Sequence, residues 1–288
     1  MQIQEAFTLK KYIDRDAIEN HIHHSTLFLY FSSKTLKVII ASKSKNAVLG
    51  LFIFEVTDDF FKKSELDIES ILNTLDFDKH GFSNIKIIVE NNLHTLIPEA
   101  LFIAEKADSY LKLNQTLSND SKVLFNRLPK NMVNIFAISE SFYNTIKAIF
   151  PQSEITHVVE LLQQFFNSFS HKENKDNIYV NIHDSTIDIA HLKNNDLNFF
   201  NTFKVDADTD IVYFILSIAE HLKLNQDKLH ISLFGDVSSS SSLIGLMKKY
   251  IPHVELMKRP DTFSYPASFR EFQDQQHYLQ INSLLCAS

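Results

Sequence analysis

The chain has 288 residues and a formal net charge of −7, and only four of its 28 basic residues are arginine, which argues against a nucleic-acid partner because phosphate contacts need clustered Lys and Arg. Hydrophobic residues make up 44%, enough for a core and too many for a disordered chain. The single cysteine, Cys286, excludes a disulfide framework and a thiolate metal site within one chain.

The length suggests about two domains. The first twelve residues, MQIQEAFTLKKY, hold no apolar signal-peptide core, and the longest apolar run, residues 47–54, is too short to span a bilayer. The segment 271–288 carries no Lys or Arg, so attraction to anionic lipid is weak. The expectation is a cytoplasmic protein without a membrane partner. The densest basic stretch, Lys248, Lys249, Lys258 and Arg259, reads as a solvated face.

An amphipathic lead-in, residues 5–20, precedes apolar runs at 26–31, 37–42 and 48–56. Short polar turns separate these runs, which predicts an antiparallel meander. Leu66, Ile68, Ile71, Leu72 and Leu75 recur at helical spacing behind Ser64, a candidate N-cap. Residues 85–89 read as a buried strand. Pro98 and Glu99 then predict a helix running to about residue 113, since Pro suits its first turn and Glu its positive end. Residues 114–131 read as a linker or surface loop. Residues 133–169 read as strand, helix, short strand and helix.

The same order then returns. Runs at 178–182, 186–192 and 197–203 predict a second meander. Asp206, Asp208 and Asp210 precede a helix running to about Leu222, followed by a buried strand at 229–234 and a helix ending near Tyr250. The chain therefore reads as two βββαβα halves displaced by about 150 residues. The expected domains are 1–125, 126–260, and a tail 261–288 whose Phe263, Tyr265, Phe269 and Tyr278 dock it on the body.

Two tandem βββαβα units resemble the actin-like ATPase fold, a ribonuclease H-like α/β architecture with a cleft between its halves. The stretches 87–102 (IIVENNLHTLIPEALF), 201–213 (NTFKVDADTDIVY) and 258–269 (KRPDTFSYPASF) resemble an uncharacterised bacterial family, a domain of unknown function assigned to that fold. The resemblance implies no reaction. It does imply where a nucleotide would sit: in the first turn of each meander, typically Asp-x-Gly, and in a Gly-Gly turn after the last buried strand of the second half. Glycine there lets backbone N–H groups approach phosphate, and aspartate holds Mg²⁺.

The first of these turns reads Ser32-Ser33-Lys34-Thr35, with neither Asp nor Gly. The second reads Asn181-Ile182-His183-Asp184-Ser185-Thr186, with Asn181 and His183 in place of Asp and Gly. The third reads Gly235-Asp236-Val237-Ser238, where one glycine survives and Asp236 sets a negative charge against phosphate. A degenerate nucleotide site and no required cofactor are expected. The leading reading is a non-catalytic protein acting through an unidentified protein partner. The alternative is a divergent Mg-ATP binder that uses Lys34, Asp184 and Ser238.

Other constellations read as structural. His21, His23 and His24 belong to a surface loop. Asp206, Asp208 and Asp210 begin like a calcium loop but meet Ile211 and Ser217 where Gly and Glu are needed. Residues 238–242, five serines, cap a helix. His183, Asp184 and Ser185 are consecutive and so cannot form a catalytic relay.

Overall fold

The computed structural model describes residues 7–57, 59–61, 68–75, 77–78, 81–168, 177–183, 185–193 and 196–282. In chain order these form β1 (Phe7–Ile13), α1 (Arg15–His21), β2 (Thr26–Phe31), β3 (Thr35–Ser42), β4 (Ala47–Val56), α2 (Ile68–Asn73), β5 (Asn84–Val89) and β6 (His94–Pro98). Next come α3 (Ala107–Lys112), β7 (Ser121–Leu128), β8 (Met132–Ser139), α4 (Glu140–Ile149), β9 (Glu154–His157) and α5 (Val158–Ser168). The remainder is β10 (Asn177–Ile182), β11 (Thr186–Lys193), β12 (Asp196–Lys204), α6 (Asp208–His221), β13 (His230–Gly235), α7 (Ser242–Met247), β14 (His253–Leu256) and α8 (Tyr278–Ile281). No helix among the described residues is long and apolar enough to cross a membrane.

The chain forms two compact units. One is Met1–Leu161 with Thr262–Phe269; the other is Leu162–Asp261 with Arg270–Leu285. The first holds a six-stranded sheet in the order β1-β4-β3-β2-β5-β9. Every residue of β2 is buried, and β4 is buried except at Glu55, which is why both read as continuous apolar runs. Helix α4 lays Phe142 and Ile146 on this core, and Phe31 meets Phe60 and Phe142 edge-on. Its N-cap, Ser139, accepts a hydrogen bond from the Phe142 N–H.

A three-stranded sheet, β6-β8-β7, carries its own small core of Ala107, Leu111, Val133, Ile135 and Ala137. Here the structure departs from the sequence expectation twice. Pro98 ends an edge strand and opens only a single 3-10 turn, Glu99–Leu101, and α3 begins only at Ala107. An edge strand tolerates a missing N–H at its last residue. The expected linker 114–131 contains β7, which pairs with β8 from Ser121↔Ser139 to Leu128↔Met132. Its polar lead, QTLSNDSK, hid an edge strand in which buried Asn126 and Leu128 alternate with exposed Phe125 and Arg127. The helix expected at 64–75 is described as α2 from Ile68; its candidate cap, Ser64, lies outside the described residues.

The units also divide elsewhere than at 125/126. Strand β9 pairs in parallel with β5, Lys86↔Glu154 to Val89↔His157, so the first sheet collects its last strand from beyond residue 150.

The second unit has a five-stranded sheet in the order β12-β11-β10-β13-β14, with α6 and α7 burying Ile211, Ile215, Ile218, Leu243 and Met247 in its core. Its last strand, β14, was not expected; four residues are too few to show a period. The order repeats β4-β3-β2-β5-β9 with the same relative directions. Correspondence extends to single bonds. Ser32 N–H donates to the Thr35 carbonyl, and His183 N–H, 151 positions on, donates to that of Thr186. Val56 N–H binds the Lys34 carbonyl as Val205 N–H binds that of Ser185. Even the bulge recurs, between Ile40 and Ala41 in one meander and between His191 and Leu192 in the other.

The segment after Pro260 is taken up by both units. Ser264 exchanges backbone hydrogen bonds with Asn46 and Val48 in the first unit, where Phe263 and Phe269 are buried. Tyr278, Leu279 and Ile281 are buried in the second.

Candidate functional site

The β2–β3 turn is clamped by its own unit. Ser32 Oγ donates to the Thr35 carbonyl at 3.3 Å, and the Ser33 and Lys34 carbonyls accept from the N–H groups of Phe60 and Val56. Ser33 and Lys34 expose their side chains to solvent. No carboxylate stands on this turn to hold a metal ion.

The β10–β11 turn carries a buried polar cluster. Asp188, on β11 opposite Asn181, is 4% exposed. Its Oδ1 accepts from Thr202 Oγ1 at 2.7 Å and its Oδ2 from Asn181 Nδ2 at 3.1 Å. His183 Nε2 lies 2.9 Å from the same Oδ2 and, protonated there, donates to it. Three donors thus meet one carboxylate. Its charge goes into fixing the turn and the His183 ring. Ser185 is exposed, with its carbonyl accepting from Val205 N–H. Asp184 lies outside the described residues.

Sequence reading missed Asp188 and Thr202. The available signal was a carboxylate alternating with Ile187 and Ile189 in a strand that is buried on both faces. The matching position in the first meander is Lys37, opposite Tyr30, so the cluster belongs to the second unit alone.

The third turn follows β13. Gly235 has φ +94°, and it is the one described glycine with positive φ. A Cβ there would collide with the Ile182 carbonyl oxygen and stand 2.8 Å from Asn181 Oδ1. The close approach of β10 therefore accounts for this glycine without a ligand. Three of the loop's backbone donors are used by Gln275, Ile182 and Gln273 of the same unit. Gly235 N–H donates to the Gln275 carbonyl at 2.9 Å, Asp236 N–H to the Ile182 carbonyl at 2.7 Å, and Ser239 N–H to Gln273 Oε1 at 2.9 Å. Gln275 Nε2 returns a bond to the Val237 carbonyl at 2.9 Å. Arg259 anchors this covering strap through Asp274 at 2.7 Å and the Phe272 carbonyl at 3.1 Å. Asp236 itself is exposed.

The remaining candidates have local explanations. His23 Nδ1 lies 2.8 Å from the Gly81 carbonyl. Asp210 Oδ2 accepts from the N–H groups of Asp206 and Ala207 at the start of α6, and Asp208 accepts from Ser242 Oγ. Ser238 Oγ accepts from Ser240 N–H, and Ser241 is the N-cap residue of α7.

A family model described as "Protein of unknown function (DUF3822)" matches residues 15–254. The chain belongs to that family. Its fold is placed by solved structures. A Bacteroides thetaiotaomicron VPI-5482 protein, described as having an actin-like ATPase fold and unknown function, aligns with this DUF3822 chain at a TM-score of 0.71. The two are 23% identical over 83% of this chain and 92% of that one. The PilM–PilN type IV pilus biogenesis complex aligns at a TM-score of 0.57 and 9% identity, over 91% of this chain and 97% of that one. No curated protein matches the chain. The actin-like ATPase fold expected from the element order, and the uncharacterised family expected from the stretches 87–102, 201–213 and 258–269, are thereby established.

Proposed function

We propose that this chain is a non-catalytic actin-like protein that works through contacts with other proteins in the cytoplasm. The observation that carries the reading is the third turn. Gly235, Asp236 and Ser239 spend their N–H groups on the chain's own carbonyl and amide oxygens, so the loop has few donors left for a phosphate or an adenosine. His183 and Ser32 place side chains on the two other turns, and Asp236 adds like-charge repulsion. Losing several charge-assisted hydrogen bonds, each about 1.5–3 kcal/mol, removes micromolar nucleotide binding. PilM, a fold relative, is solved together with PilN, which makes a protein partner a natural role for a chain of this architecture.

The test is thermal. A ligand at 100 times its Kd stabilises the native state by about 2.7 kcal/mol. That corresponds to roughly 5–10 °C for units of this size, at about 2–4 °C per kcal/mol. Millimolar Mg-ATP is expected to leave the melting temperature where Mg²⁺ with an unrelated polyanion leaves it. A rise of several degrees specific to ATP would overturn the reading and make the chain a divergent nucleotide binder.

A further inference from the structure

The two units differ at one sheet edge. In the first, β1 lies antiparallel along the outer side of β4, from Phe7↔Val56 to Ile13↔Gly50. Phe7, Leu9 and Ile13 pack onto the core, and the Phe7 ring meets Phe54 edge-on at 5.6 Å. Phe54 is fully buried beneath them. On the other face of the same pair, Lys10 holds Glu55 at 2.9 Å, and Thr8 Oγ1 donates to that carboxylate at 3.3 Å.

The registers Leu36↔Phe54 and Ile187↔Phe203 make β12 the counterpart of β4. Phe203 then corresponds to Phe54, Thr202 to Ile53 and Lys204 to Glu55. Among the described residues no strand pairs with the outer side of β12. Phe199 and Phe203 are only partly buried against their core. Phe203 stacks on Phe214 of α6, with centroids 4.5 Å apart, and the neighbouring Tyr213 is 66% exposed. An edge strand flanked by apolar surface is a template for strand addition, where main-chain bonds supply affinity and alternate side chains supply specificity.

We infer that β12 receives an extended segment of a partner protein, laid antiparallel as β1 lies on β4. The chain supplies the template for its chemistry. Opposite Phe203 the partner carries an apolar residue, as Leu9 stands opposite Phe54. Opposite Thr202 it carries an acid, because Lys10 occupies the matching place beside Glu55 and the counterpart of Glu55 is the cation Lys204, whose long 3.9 Å contact with Asp206 leaves its side chain 75% exposed. The inference rests on the protein-contact reading above and gives it a surface and a partner chemistry. Its test is independent of the ATP experiment, so either can fail while the other stands.

The probes are two heptapeptides, FTLKKYI, which repeats residues 7–13, and FTLEKYI, which exchanges its first lysine for glutamate. Each is added at millimolar concentration to the full chain, and amide hydrogen exchange is followed across 197–204. FTLEKYI is expected to slow exchange there severalfold and FTLKKYI much less. In Lys204→Glu, a change at an exposed position, the preference reverses. Two results overturn the inference. One is unchanged exchange with both peptides. The other is exchange already slow without peptide in a chain that sediments as a dimer, which assigns the edge to a second copy.

Discussion

At Gly235 the side chain is excluded by the protein's own backbone. Its φ of +94° and the approach of the Ile182 carbonyl leave no room for a Cβ. Gly235→Ala is expected to cost about 3 kcal/mol, combining positive-φ strain with displacement of β10. That lowers the melting temperature by roughly 6–12 °C, measurable by circular dichroism. Tyr278 offers a pH-dependent case. Burial pushes its hydroxyl up to about 12, against a smaller opposing effect of its contact with Asn282. Its folded pKa therefore exceeds the ordinary value near 10. The corresponding stability is complete below pH 10 and is lost as pH rises through about 12. Urea midpoints followed from pH 9 to above 12 are expected to fall less steeply in Tyr278→Phe than in the wild type.

Helix α6 shows how an element explains a motif. The spaced carboxylates at 206, 208 and 210 are the helix's start signal. Asp210 takes two backbone N–H groups ahead of the first turn, and acids at a helix N-terminus oppose its dipole favourably. Asp210→Ala is expected to destabilise the second unit by about 1 kcal/mol, seen as a lower urea midpoint without change in slope. Legibility differed from element to element. Strands β2 and β4 were plain because both faces are buried and their runs are continuous. Strands β6 and β7 were not: Pro98-Glu99 signals a helix start as readily as a strand end, and β7 mixes buried Asn126 and Leu128 with exposed Phe125 and Arg127.

For the molecule as a whole, the C-terminal segment decides integrity. It buries Phe263, Phe269, Tyr278, Leu279 and Ile281 and closes the loop at Gly235 and Ser239. At about 1.5–3 kcal/mol per buried apolar side chain, its removal costs on the order of 10 kcal/mol, comparable with the whole stability of an ordinary domain. A chain ending at residue 261 is expected to show no cooperative thermal transition by circular dichroism. A transition retained within a few degrees of the wild type would show that the segment is dispensable.

By itself the sequence determined the order of elements, their repetition and the absence of glycine from the first turn of each meander. These depend on local apolar period and residue type, which a single chain displays. Only the tertiary structure decided that β9 completes the first sheet, that Asp188 is buried among Asn181, His183 and Thr202, and that Gln273 and Gln275 take the donors of the third loop. Each of these pairs groups from separate elements, some of them tens of residues apart in the chain. Periodicity records whether a residue is buried, but which distant segment buries it follows from sheet register and chain closure, which no local pattern encodes.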